Sequence, residues 1–599
     1  MEFPYPSAEG LHVGHAYTYC GADTYGRYQR MRGHKVFQPI GFDSFGIHTE
    51  NYALRIGENP ATLTGRTIVR YRGQLQRLGA AWDWDHEVAT SDPAYYRWTQ
   101  WIFLRLYQAG LAVRRQAPVL WCPSCLTVLA HEQLEGDRCE RCGTLVTERR
   151  MRQWFLRITA YADELLDALD ELDWPPVAKR IQREWIGRSP DGSRYRLHDW
   201  LISRQRYWGP PIPIVYCDAC GTVPVPDEDL PVLLPEVEEF RPSGTELSPL
   251  AAVASFVNTT CPRCGGPAQR ETDVSDTFLD SAWYFLRYPS SGCSGQPWDP
   301  GRTAQMLPVD LYAGGREHVA RHHLYARFVT RALHDLGLLP FAEPFPKVRL
   351  HGFLLKDGVK MSKSRGNVVV PDHYMDRVGA DNLRMYLLFC APWEDGGDFS
   401  DTGLAGIERF SARAWRLLTE PQRPAAAQDK DGVQIQGQGQ VEVEPRPLHR
   451  AIATLGDDIE RLKFNTALSA LMELLRWLRQ HKAAMPAAQW QRSARTFTLL
   501  LAPFAPHLAE ELWSRLGGPY SVHRQPWPAA DLDALAEQDF PLVIQVNGKR
   551  RDSCQAPAGI DRDGAVALAL ASERVRRHLA GREPRDTVFV PGRLVNLVT

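Results

Sequence analysis

Residues 3–15, Phe-Pro-Tyr-Pro-Ser-Ala-Glu-Gly-Leu-His-Val-Gly-His, constrain this chain more than any other stretch. Pro4 and Pro6 limit the lead-in to a short strand and a braked turn, because proline has no N–H to extend a ladder. His12-Val13-Gly14-His15 then opens a long helix, predicted over roughly Ala16 to Arg32. A helix N-terminus offers free N–H groups and the positive end of the dipole, and Gly14 leaves room for a flat base. Two imidazoles there suit a polyphosphate. Paired histidines at a helix start also serve as plain caps, so the stretch needs a second element to acquire meaning.

That element is Lys360-Met361-Ser362-Lys363-Ser364, followed by Arg365-Gly366-Asn367. Two ammonium groups and two hydroxyls on a glycine-containing loop suit a leaving pyrophosphate, because lysines act as point charges delivered where negative charge develops. A lone lysine–serine loop is usually a solvated turn. The two elements in this order are far more specific than either.

At 599 residues the chain has room for three to five domains, and its formal net charge of −1 excludes a uniformly basic nucleic-acid binder. Any RNA partner must meet local patches, such as residues 541–599, with ten Lys/Arg against six Asp/Glu. No apolar run reaches the ~18 residues of a membrane helix, and no secretory signal precedes the first motif. Of twelve cysteines, eight form four C-x-x-C pairs, leaving Cys20, Cys293, Cys390 and Cys554 outside. Such pairs read as metal ligands in a reducing cytoplasm, not as disulfides. Cys122, Cys125, Cys139 and Cys142 suit a tetrahedral zinc knuckle that folds a segment too small for its own core. Cys217, Cys220, Cys261 and Cys264 form a second set, with Gly221 and Gly265 supplying the tight turns. Both sets read as closed, structural Zn²⁺ sites.

The segment up to about Leu111 alternates short apolar strands with amphipathic helices, as a parallel nucleotide-binding sheet does. Val36-Phe37-Gln38-Pro39-Ile40 reads as its second strand, delivering Gly41-Phe42-Asp43 to the C-terminal end, where open α/β sheets bind ligands. Asp43 is placed there to pair with a substrate ammonium; a turn or cap aspartate is the other reading. Further on, Gly314-Gly315 let backbone approach a ribose or adenine, and Glu317 offers an acceptor for ribose hydroxyls. Pro421 to Pro447 reads as a flexible insertion. The pattern from Leu448 is helical; Leu501 to His507 begins a helix ending near Leu516, with Gly517-Gly518 as a stop. The tail alternates like strands at Leu542–Val546 and Thr587–Val590 around a short helix.

Taken together the chain resembles the class I aminoacyl-tRNA synthetases, and within them the leucyl-tRNA synthetases. The resemblance covers nearly the whole length. It includes the two motifs above, Gly41-Phe42-Asp43-Ser44-Phe45-Gly46, Trp185-Ile186-Gly187-Arg188-Ser189, Asp199 to Gly209, Trp283 to Tyr288, and Gln545-Val546-Asn547-Gly548-Lys549. It implies a Rossmann-like α/β catalytic domain with zinc-ribbon insertions, a C-terminal helical bundle and a small α+β tail. The expected divisions are 1–115 and 271–400 for the catalytic halves, 116–150 and 216–270 for the cysteine insertions, and 151–215 for a connective region. A tRNA-docking bundle spans 401–530, and a tRNA-gripping module 541–599.

The resemblance further implies a leucine–tRNA ligase acting as a cytoplasmic monomer. It activates leucine with ATP and Mg²⁺ and transfers it to the 2′-hydroxyl of the terminal adenosine of a leucine tRNA. His12, His15, Lys360 and Lys363 are its expected catalytic residues. Gly14, Gly314, Glu317, His318, Met361, Ser362 and Ser364 would join them around ATP. Phe3, Tyr5, Asp43, Phe278, Ser281, Tyr284 and His322 would form the amino-acid site, and His323 stands where the family has an apolar residue.

Three departures stand out. The sequence starts two residues before Phe3, which suggests a truncated first strand or an upstream start. Ile47-His48-Thr49-Glu50-Asn51 differs from the family's commoner Leu-Pro-Ala-Glu-Asn. Between Ser189 and Tyr195 there is only a turn, Pro190-Asp191-Gly192-Ser193-Arg194, where the family inserts a proofreading domain, so discrimination would rest on the synthetic pocket alone. Two other classes fit the residues less well: an amino-acid-activating paralogue with another acceptor, or an inhibitor-resistant second copy; and a non-catalytic RNA scaffold, which would be free to lose His12, His15, Lys360 and Lys363.

Overall fold

The structure, a computed structural model, describes residues 3–6, 10–192, 194–245, 247–361, 367–422, 443, 445–531, 535 and 540–599. The chain forms two compact units, one of Met1–Arg423, Leu455–Arg479 and Trp490–Trp527, the other of Pro424–Thr454, Gln480–Gln489 and Pro528–Thr599.

In the first unit the helix predicted to start at Ala16 runs from Val13 to Met31, because His12 itself is the N-cap and draws the first turn three residues earlier. Residues 3–6 form no named strand, yet Pro4 C=O accepts the N–H of Asp43 at 2.8 Å, so the lead-in lies along the end of the strand Gly41–Phe42. That strand pairs in parallel with Val88–Ala89. A Cβ on Gly41 would come within 2.6 Å of the Phe3 ring and 2.7 Å of Val88 O, so only glycine admits so close an approach. Val36–Ile40, read above as a strand, is not one. Asp83 takes the Gln38 N–H on its carboxylate and donates its own N–H to Gln38 C=O, leaving no ladder groups for a neighbour at that residue.

Two more parallel pairs follow: Tyr312–Gly315 with Val348–His351, and Phe353–Lys356 with Gly396–Asp398. The histidine-capped helix Val13–Met31 packs on Tyr312–Gly315 and Phe353–Lys356, while Pro93–Gln108 packs on the strand Ala112–Cys122. The core is rich in aromatics, with Trp154, Trp200, Trp283 and Tyr325 essentially inaccessible. An antiparallel sheet in the order Thr127–Leu129, Ala112–Cys122, Thr147–Leu156, Trp200–Leu201 carries the first cysteine set; Ile214–Cys217 pairs with Gly221–Pro224 and Pro267–Arg270 to carry the second. The described residues on either side of Ser193 close on each other, with Arg188 bridged to Tyr195 and the Ser189 N–H donated to Arg194 C=O at 2.8 Å.

The helical part of this unit includes Asp401–Thr419 and Pro506–Arg515. The latter helix starts at Pro506, five residues later than expected, because Leu501 closes the preceding helix Ala487–Leu501. Of the expected linker, residues 423–442 and 444 lie outside the described residues, and its last two belong to the helix Arg446–Glu460. The second unit contains a four-stranded sheet in the order Lys549–Ala556, Phe540–Val546, Leu594–Val598, Asp586–Val590. Two helices, Arg562–Ala571 and Glu573–Leu579, replace the single short helix expected there and bury Ala565, Ala569, Val575 and Leu579 with Leu542, Ile544, Val595 and Leu597. No helix among the described residues is long and apolar enough to cross a membrane.

Candidate active site

His12 and His15 cap each other: each Nδ1 accepts the other residue's backbone N–H at 3.3 Å, and the rings stack at 3.7 Å. An Nδ1 that accepts carries no proton, so the neutral rings hold theirs on Nε2 and present it as a donor. A Cβ on Gly14 would come within 2.8 Å of the His12 ring. The helix start is fixed on both sides, by Leu11 N–H to Gln74 Oε1 (2.8 Å) and Val13 N–H to Val369 C=O (2.9 Å).

Val369 belongs to the segment after the lysine loop, and Gln74 also donates to Asp372 at the next helix, where Arg77 adds a 2.9 Å ion pair. The loop's other end is the hairpin Phe353–Lys356 and Val359–Lys360. Met361 is buried, its terminal methyl 4.0 Å from where a Gly14 Cβ would lie. The described ends of the loop thus converge on the histidine pair. Lys360 Nζ sits 3.8 Å from Glu317 Oε1 and over the Phe353 ring. Ser362, Lys363 and Ser364 lie outside the described residues. Gly314 lies in the buried strand Tyr312–Gly315, where the Tyr312 ring leaves it no space for a side chain, and His318 lies parallel to Tyr5 at 6.2 Å.

Asp43 follows the strand Gly41–Phe42 and is 1 % exposed. Its Oδ1 accepts the Thr277 hydroxyl at 2.8 Å, while Oδ2 is buried without a hydrogen-bond partner. Burial pushes this carboxyl up to about 8; the Thr277, Ser281 and Thr90 hydroxyls pull it down, while the charge of Asp276 adds to the rise. A buried carboxyl with one oxygen unmatched is a receptor for a cation. Asp280, equally buried, is raised well above the ordinary carboxylate range by burial and by Asp43.

Phe3 stacks on Tyr284 at 4.3 Å, and Tyr284 meets His322 at 5.7 Å, so these three predicted residues share one aromatic wall. Ser281 is buried on the helix Thr277–Ser281. Phe278, on the same helix, packs instead against Tyr325 at 5.6 Å. His323 is fully buried among Trp174, Tyr312 and Phe345. Thr277, the donor to Asp43, was missed by sequence reading; a threonine just before a pocket phenylalanine is its only signal.

The four sulfurs of each cysteine set lie within 4.8 Å of one another. The closer pairs, Cys122–Cys142 at 3.4 Å, Cys125–Cys139 at 4.0 Å and Cys217–Cys264 at 3.7 Å, bracket the ~3.8 Å edge of a tetrahedron with ~2.3 Å metal–sulfur bonds. The Cys125 N–H points to Cys122 Sγ at 3.3 Å, and Gly221 and Gly265 adopt φ of +72° and +73° in the turns. The donors fit a tetrahedral thiolate-bound metal at both sites.

A family model described as "tRNA synthetases class I (I, L, M and V)" matches residues 1–396, and one described as "Anticodon-binding domain of tRNA ligase" matches residues 446–566. The leucine–tRNA ligase of Rubrobacter xylanophilus is 40% identical over 780 residues, covering 99% of this chain and 94% of that protein. Its counterpart from Dehalococcoides mccartyi is 39% identical over 784 residues, covering 100% and 95%. These alignments are far longer than the 599 residues here, so the relatives carry a long stretch without counterpart. Among solved structures, the Agrobacterium radiobacter K84 agnB2 LeuRS in ternary complex with tRNA and LeuAMS superposes with a TM-score of 0.88 at 32% identity, covering 100% of this chain and 95% of that one. The Mycobacterium tuberculosis methionyl-tRNA synthetase bound to methionyl-adenylate shares the fold, with a TM-score of 0.60 at 19% identity, covering 93% of this chain and 98% of that one.

Proposed function

The chain belongs to the leucine–tRNA ligases of the class I tRNA synthetase family, and we propose a residue-level mechanism in which it works without a hydrolytic proofreading site. Leucine enters with its ammonium on Asp43 and its side chain against Phe3, Tyr284 and His322, with Ser281 and Tyr5 completing the pocket; Phe278 supports it from behind through Tyr325. The ammonium matches the partnerless Oδ2, and its charge favours the ionised carboxylate that burial alone disfavours.

ATP lies across the helix start, its ribose hydroxyls on Glu317 and its base near Gly314 and His318. The leucine carboxylate attacks the α-phosphorus in line, the bond to the bridging oxygen breaks, and pyrophosphate leaves with the electron pair. His12 and His15 donate from Nε2 to the phosphate oxygens as charge shifts, and Lys360, with Lys363, Ser362, Ser364 and Met361 of its loop, receives the leaving group. Mg²⁺ bound with the nucleotide would neutralise part of that charge. No covalent enzyme intermediate is required; positioning and electrostatics suffice. ATP binding would draw Lys360 from Glu317, freeing both for the nucleotide. In the second step a ribose hydroxyl of the tRNA's terminal adenosine attacks the adenylate carbonyl and releases AMP.

Zn²⁺ is the metal the two thiolate tetrads fit best, holding each knuckle's fold closed, and eight thiols kept for metal suit a reducing cytoplasm. The short closure between Ser189 and Tyr195 supports the absence of a proofreading insertion. Selectivity then rests on the synthetic pocket, where one methylene is worth only ~1–3 kcal/mol.

The observation that carries this reading is the convergence of the mutually capped histidines, the Lys360–Glu317 pair and partnerless Asp43 Oδ2 in one unit. Amino-acid-dependent ATP–pyrophosphate exchange tests it. Exchange strongest with leucine is expected; exchange absent for every amino acid would overturn the reading.

A further inference from the structure

Arg204 is 3% exposed, and its guanidinium joins two separate parts of the first unit. Nη2 donates to Asp276 Oδ2 at 2.5 Å and to Gln133 Oε1 at 3.1 Å, while Nη1 donates to the Leu201 and Ser203 carbonyls. Gln133 lies inside the first cysteine knuckle. Its carbonyl accepts the Glu140 N–H at 3.2 Å, and the next residue, Leu134, pairs with the ligand Cys139. On the other side, Asp276 precedes Thr277, whose hydroxyl holds Asp43 at 2.8 Å. A connection therefore runs from Cys139 through its strand partner Leu134 to Gln133, by hydrogen bonds through Arg204 to Asp276, and along the chain to Thr277, which bonds Asp43; Gln133, Arg204, Asp276 and Asp43 are buried.

A parallel limb starts two residues later. Arg206 donates to Cys125 C=O at 2.6 Å and pairs with buried Glu50 at 2.8 Å. Glu50 in turn accepts the Trp208 N–H at 2.8 Å, and the Trp208 indole donates to Ser44 C=O, beside Asp43. Both limbs leave the knuckle next to a cysteine and arrive at the residue expected to hold the amino acid. The ATP groups are fixed otherwise, through Gln74 and Val369.

We infer that Arg204 is a positioning residue through which the first cysteine knuckle sets the affinity for leucine; the inference rests on the leucine-ligase reading above. A rigid, buried planar fork bonded to four acceptors has little freedom to reorient, so a displacement of Gln133 is passed to Asp276 and Thr277.

Two variants test this. Gln133→Ala detaches the knuckle while leaving the Arg204–Asp276 pair intact, and Arg204→Lys keeps the charge but loses the fork. Leucine and ATP KM are measured by pyrophosphate exchange, leucine Kd by calorimetry, and metal per chain by elemental analysis. Leucine KM and Kd should rise about tenfold, with ATP KM within about twofold and metal content unchanged. Should Arg204→Lys fail to fold, Gln133→Ala decides alone. Leucine constants that stay put, or leucine and ATP KM rising together, would overturn the inference. A wild type without leucine-dependent exchange would overturn the parent reading instead, a result distinct from normal exchange with unaffected variants.

Discussion

Asp23, on the same helix as His15, receives the fully buried guanidinium of Arg384 at 2.6 Å. Arg384 also donates to the carbonyls of Leu78, Pro503 and Phe504, so one side chain ties the histidine helix to the helical part of its unit. Burial pushes the Asp23 carboxyl up, but Arg27 and Arg384 outweigh it and hold it at about 2. The folded value lies below the unfolded one of ~3.9, so the pair's stabilisation is complete above about pH 4 and fades as pH falls toward 2. Urea midpoints should drop between pH 4 and pH 2 in the wild type and change less in Asp23→Asn. Arg384→Ala should cost about 3 kcal/mol, because Asp23 is left with Arg27 alone and the Leu78, Pro503 and Phe504 carbonyls lose this buried donor.

The two roles of His12 separate by substitution. His12→Asn retains a side-chain oxygen to cap the His15 N–H but loses the Nε2 donor. Melting should shift by less than about 1 kcal/mol equivalent, while the exchange rate falls about 10²–10³-fold. Equal loss of stability and rate would mean that His12 is only a cap.

Asp43 predicts a pH dependence of substrate affinity. Its folded value of about 8 lies above the unfolded one, so the empty protein gains nothing from ionising it and loses stability as pH rises from about 4 to 8. Under the proposed assignment, leucine relieves that penalty by pairing its ammonium with the carboxylate. Its KM should therefore fall as pH rises from 6.5 to 8, by up to about tenfold per unit. Asp43→Asn should abolish the trend and raise KM at least ~100-fold. A flat wild-type profile would contradict the ammonium assignment.

Local chemistry was legible in the sequence, and distant pairing was not. The cysteine tetrads could be read because ligand spacing and the glycines after Cys220 and Cys264 are short-range features, and the short closure between Ser189 and Tyr195 could be read because so few residues admit nothing larger. The helix start was placed three residues late because a histidine is an unusual N-cap. Val36–Ile40 has strand-like composition, yet its Gln38 backbone is claimed by Asp83, 45 residues on. Arg204, Arg206 and Arg384 stand out in no periodic pattern; their partners lie from 71 to 361 residues away, at Gln133, Asn51 and Asp23, and only the folded chain brings them together.

Metal removal has a direct readout. Two equivalents of zinc per chain are expected, and Cys142→Ser, which replaces an exposed ligand, should lose one of them. Stripping both should lower the melting temperature, because thiolate–metal bonds replace a core these knuckles lack. Unchanged melting of a metal-free chain would refute a structural role.

The most direct test of the whole account is charging of leucine tRNA with leucine, isoleucine, norvaline, valine and methionine, followed by the lifetime of each product with enzyme present. The account predicts rapid charging with leucine and a measurable share of norvaline or isoleucine product that decays no faster than in buffer. Enzyme-accelerated hydrolysis of the mischarged tRNA would contradict the absence of proofreading, and failure to charge with leucine would contradict the ligase itself.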